Sequence, residues 1–161
     1  MRLIRSVTAG GRRPLLFGLV LGIALTSAFI VATPSQAQQP AGRVFNMGAG
    51  MVLNYVKADK AADFENIVAK TKEALAKSAK PDRKQQLASW KVFKAAEPGP
   101  NMSVLYIFMI DPSVKDADYT IGNILNEAFP VDIQALFKTY TESYASGQIS
   151  VNLTLVSDFA K

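Results

Sequence analysis

The sequence predicts an α+β domain in the order β-α-β-β-α-β, an antiparallel sheet with helices on one face. Three observations predict it. Two stretches, "MVLNYV" (Met51–Val56) and "VLYIFMI" (Val104–Ile110), are largely apolar on both alternations of a strand. Two longer segments carry apolar residues at spacings of three and four. "EPGPN" (Glu97–Asn101) sits between two strand-like runs, and its two prolines and one glycine rule out regular structure there.

Each element has its own local reason. "GMVLNYVKA" (Gly50–Ala58) is the first strand, with Met51, Leu53 and Tyr55 alternating with Val52, Asn54 and Val56. Asp59 stands where a helix N-cap belongs. Phe64, Ile67, Val68, Thr71 and Leu75 then draw one apolar stripe along a helix, broken or kinked at Pro81, with "DRKQQLAS" adding a turn or two. "WKVFKAA" (Trp90–Ala96) is the second strand, joined to the third by a loop of about five residues. Ile121, Ile124, Leu125 and Phe129 are helically spaced. Pro130 interrupts this region as the first residue of a next helix, through Ile133, Leu136, Phe137, Tyr140 and Tyr144, which Gly147 ends. "ISVNLTLVS" (Ile149–Ser157) is the fourth strand.

The chain is 161 residues long, which predicts one folded domain, over 50–161. Residues 1–37 read as a signal peptide: Arg2, Arg5, Arg12 and Arg13, then an uncharged apolar run from Leu15 to Ala32, then Pro34 and the small residues Ser35 and Ala37. Residues 38–49 read as a flexible leader. The expectation is export to the periplasm or the medium; the alternative is an uncleaved N-terminal anchor, since the apolar run approaches the ~20 residues that span a bilayer. Removing this segment takes four basic residues from 18 Lys+Arg and none from 13 Asp+Glu, leaving 14 against 13. The mature part is almost neutral, which argues against a nucleic-acid partner.

There is no cysteine and no histidine. No disulfide framework is needed at this length. The commonest general base, zinc ligand and proximal haem ligand are all missing, so no metal and no cofactor is expected. Asp111, Asp116 and Asp118 lack the remaining ligands of a calcium loop and read as turn and capping residues. Lys70, Lys72, Lys77, Lys80, Arg83 and Lys84 read as a solvated face balanced by Glu65, Glu73 and Asp82.

Element order and the two-sided strands "MVLNYV" and "VLYIFMI" give the chain a ferredoxin-like pattern that resembles the dimeric α+β barrel superfamily, which includes the antibiotic-biosynthesis monooxygenase-like proteins. The resemblance covers Met51 to about Val156. It implies a homodimer in which two sheets face each other around a barrel that often holds a small organic ligand. Some members oxidise aromatic compounds without a metal, and in those a strand asparagine helps position substrate, a role Asn54 would take here. The haem branches use a histidine, which this sequence lacks.

Independently of that resemblance, Trp90, Tyr106 and Phe108 are candidates to line an apolar cavity, the Tyr106 hydroxyl serving as a polar handle. The plainer reading makes them core or interface aromatics, and makes Asn54 a satisfied core amide. The expected function is binding of a small apolar or aromatic molecule by an exported homodimer. A cofactor-free oxygenase or isomerase in the same cavity, and a purely structural envelope module, are the alternatives.

Overall fold

The computed structural model describes residues 42–160. The signal-peptide reading of 1–37 and the first residues of the leader lie outside them. Among the described residues no helix is long and apolar enough to cross a membrane.

Four strands form one antiparallel sheet: β1 (Ala49–Val56), β2 (Trp90–Pro98), β3 (Val104–Ile110) and β4 (Tyr144–Leu153), in the order β2-β3-β1-β4. The two strands that are apolar on both alternations, β1 and β3, are therefore the central ones. Four helices cover one face: α1 (Ala61–Lys77), α2 (Pro81–Ser89), α3 (Ile121–Ala128) and α4 (Ile133–Glu142). The chain is of mixed α+β class.

The helix boundaries differ from those that the apolar periodicity suggests. Of the two expectations at Pro81 the break is the one found: α1 ends at Lys77, and Pro81 opens α2 at its first position after an extended Lys80. Pro130 lies in a turn between α3 and α4 instead of starting a helix. Asp59 falls in a short 3₁₀ turn, Ala58–Lys60, and Lys60 takes the N-cap position of α1 without a side-chain cap bond. The last helix ends at Glu142, and Gly147 lies inside β4, not at a helix end. Here strand pairing overrides local pattern. Val56 pairs with Tyr144 and Asn54 with Gln148, which draws "YASGQ" into the sheet around an irregularity opposite Tyr55.

Register decides which side chains meet the helices. Val52, Asn54 and Val56 of β1, and Tyr106, Phe108 and Ile110 of β3, are buried beneath them. Phe64 of α1 sits at the centre of this layer, its ring 4.8 Å from Tyr106, 5.7 Å from Tyr144 and 6.0 Å from Phe108. The segment before β1 joins the same side. Phe45 is 3% exposed, lies edge-on to Tyr119 and occupies the space over Gly50, where any Cβ would collide with its ring. The Arg43 amide donates to Asp118 and Thr120, and Tyr119 N donates back to Arg43 O at 2.7 Å.

Among the described residues no helix covers the opposite face. Phe93, Ile107, Leu53 and Ile149 form one cross-strand row on it, through all four strands. Met51, Met109 and Val151 continue the next row. Phe93 is 52% and Ile149 49% exposed. This is a contiguous apolar surface, of the kind that soluble monomers seldom display.

Candidate functional site

The layer between helices and sheet is not filled everywhere. A cavity of about 310 Å³ opens between α1, α2, α3 and the β2–β3 hairpin. Its apolar lining is Val68, Leu75, Leu87, Val92, Ile121 and the rings of Trp90 and Phe108; Thr71 and Lys72 are its polar members. Its volume is at the lower end of the range for small-molecule sites. The amphipathic stripe of α1 supplies one wall. The other exists because β2 and β3 place Trp90 and Val92 on the helix side, Val92 directly beside Phe108. Trp90 packs edge-on against both Phe108 and Tyr119, each 5.5 Å away, and its buried indole Nε1 has no hydrogen-bond partner among the described residues.

The two polar members differ. Thr71 donates its hydroxyl to Ile67 O at 2.8 Å, inside its own helix. Lys72 is exposed and, among the described residues, has no ion pair or hydrogen bond, whereas Glu73 holds Lys70 at 2.8 Å and Lys77 at 2.6 Å. Among the described residues no acid lines the cavity.

Of the four candidate residues, Trp90 and Phe108 meet at this cavity, and Asn54 and Tyr106 do not line it. Asn54 is 0% exposed within a buried polar cluster. Its amide donates to Val52 O and Tyr106 O, both at 3.2 Å, and its Oδ1 accepts from Gln148 Nε2 at 2.7 Å and from Tyr144 OH at 3.0 Å. All the bonding positions of that amide are thus satisfied inside the protein. Gln148 also reaches the hydroxyls of Tyr140 and Tyr144 and accepts from Arg43 at 2.5 Å. Burial pushes the phenols of Tyr140 and Tyr144 up, so both stay neutral through the physiological range.

Tyr106 extends to the edge of the layer and donates to Glu65 at 2.6 Å; Lys94 bonds the same carboxylate oxygen at 3.0 Å. Burial raises the Tyr106 phenol, reinforced by the Glu65 bond. The bonds from Tyr106 and then Lys94 hold the Glu65 carboxyl below its usual value. Asp118, the acid nearest a calcium-loop reading, binds protein donors: Arg43 N, Thr120 N and Asn123 Nδ2. Among the described residues no group of three or more His, Cys, Asp or Glu is placed to hold a metal ion.

Sequence reasoning passed over Lys72, Leu75, Leu87 and Val92 as site residues, and Gln148 as the partner of Asn54. Lys72 carries a readable signal. The residues three and four away from it on either side are Val68, Ala69, Leu75 and Ala76, so no acid stands at helical spacing, whereas Glu73 is so placed for Lys70 and Lys77.

The chain was compared with protein-family models, curated proteins and solved structures, and none of them matches it. The site is therefore read from its own geometry.

Proposed function

We propose that the protein binds a small apolar or aromatic molecule in the cavity walled by Val68, Leu75, Leu87, Trp90 and Phe108. The observation that carries this reading is the cavity itself, a concave space of about 310 Å³ whose lining is apolar but for Thr71 and Lys72. Binding is favoured over an oxygenase or isomerase because, among the described residues, Lys72 is the only ionisable group in the lining.

The strand order and the bare apolar face support the finer arrangement, a ferredoxin-like domain that pairs sheet to sheet with a second copy as a dimeric α+β barrel. Burying about 500 Å² of apolar surface on each copy is worth on the order of 25 kcal/mol, against association costs of about 4–15 kcal/mol. In this arrangement the ligand cavity and the dimer seam occupy opposite faces of the sheet. The leading segment carries the domain out of the cytoplasm.

Trp90 is the sole tryptophan and lines the cavity, so its fluorescence reports occupancy. Titration with 1-octanol should give a saturable change in emission. Leu87→Phe, which narrows the space, should weaken that binding while keeping the wild-type melting temperature. A linear, unsaturable response that is the same in both proteins would count against the cavity as a site.

A further inference from the structure

We propose that the ligand is a monoanionic amphiphile, an apolar or aromatic acid whose carboxylate pairs with Lys72 at the rim of the cavity. This rests on the reading of that cavity as the binding site and adds the chemistry of the ligand's head group.

Three observations converge on it. Among the described residues the lining contains one cation and no acid, so the one end of a ligand that meets charge meets a positive one. That cation is unpaired: Lys60 is held by Asp63 and Lys70 and Lys77 by Glu73, yet Lys72 has neither ion pair nor hydrogen bond among the described residues. Its surroundings are apolar, with Val68 and Leu75 one turn away on either side and both lining the cavity. A lysine so placed lays its methylene stem along the apolar wall and leaves its ammonium at the water boundary. A ligand that fills the cavity with an apolar tail brings its head to that boundary.

The charge count selects the class. One lysine neutralises one negative charge. A phosphate dianion would find no second cation in the lining and no arginine fork to bind it bidentately. A neutral alcohol would leave the ammonium as it is, and an amine would meet like charge.

The test uses octanoate and 1-octanol, which share a tail length and differ in charge, with Trp90 emission as the readout on the folded protein. Lys72→Met keeps the length of the stem and removes the charge. It should weaken octanoate by about three- to tenfold, the range of a partly exposed charge-assisted contact, and leave 1-octanol within about twofold. Added salt should weaken octanoate in the wild type and not in Lys72→Met. Lys70→Met removes a cation outside the lining and should leave both affinities unchanged, separating local pairing from net charge. If Lys72→Met leaves octanoate affinity unchanged, or weakens both ligands equally, the head-group assignment is overturned and the cavity reading stands. If neither ligand saturates the wild type, the cavity reading fails and this inference fails with it.

Discussion

Ile107 is the position at which sheet pairing is most exposed to test. It lies on the bare face in the row Phe93–Ile107–Leu53–Ile149, half-buried by its own neighbours. In a single chain, Ile107→Lys loses part of the burial of one aliphatic side chain, about 1 kcal/mol, because the new ammonium snorkels into water. In a sheet-to-sheet dimer the symmetry places one such lysine on each copy in an apolar seam. Several kcal/mol of desolvation per charge, with the apolar contact also lost, comes to on the order of 6–10 kcal/mol, or at least about 10⁴-fold in the dissociation constant. Sedimentation velocity from about 1 to 100 µM, with a circular-dichroism melt alongside, should show a wild-type dimer and an Ile107→Lys monomer that still melts cooperatively. Phe108→Lys, one residue along on the helix-covered face and 1% exposed, should unfold the protein instead. An Ile107→Lys dimer of unchanged affinity would refute the seam.

Three further outcomes follow from the buried polar groups and the leader. Asn54→Leu strands Gln148 and Tyr144 without their shared acceptor and should cost about 2–4 kcal/mol in urea unfolding; a loss under about 0.5 kcal/mol would mean the cluster re-satisfies itself. Burial alone would raise the Asp118 carboxyl, but bonds from Thr120, Asn123 and Arg43 outweigh it and hold the group below its usual value. The fold therefore favours the ionised form, and this stability is full above the unfolded carboxylate range near pH 4 and lost as pH falls through the folded value. Melts from pH 6 to 3 should show a flatter acid slope for Asp118→Asn than for wild type, and identical slopes would remove Asp118 as a source. N-terminal sequencing of exported protein should begin at Gln38 or within a few residues; recovery of only membrane-bound chain starting at Met1 would contradict cleavage.

The α+β class was legible in the sequence because its signals are strong and local. β1 and β3 are apolar on both alternations, the stripe on α1 has helical spacing, and the Pro-Gly-Pro turn separates β2 from β3, although pairing of Pro98 with Val104 carries β2 two residues into the stretch that read as irregular. The boundary between α4 and β4 was not legible, since Tyr140 and Tyr144 are helically spaced and only pairing with β1 turns Tyr144 into a strand residue. The same long-range pairing brings Gln148 to Asn54. Phe45 looked like part of a loose leader because nothing in its neighbourhood announces the gap above Gly50 that it fills. Trp90 and Phe108 could be picked out as aromatic cavity candidates. That they share one cavity with Lys72, and that Asn54 and Tyr106 lie outside its lining, depends on strand register and on where α2 sits over β2, and composition carries neither.

The most direct measurement of the central claim is a crystal structure of the mature protein grown with octanoate. Continuous density is expected between Leu75, Leu87, Trp90 and Phe108, with the carboxylate beside Lys72 and a second copy against the Ile107 face. An octanoate seated between two sheets on that face, with only water between Trp90 and Leu75, would contradict it.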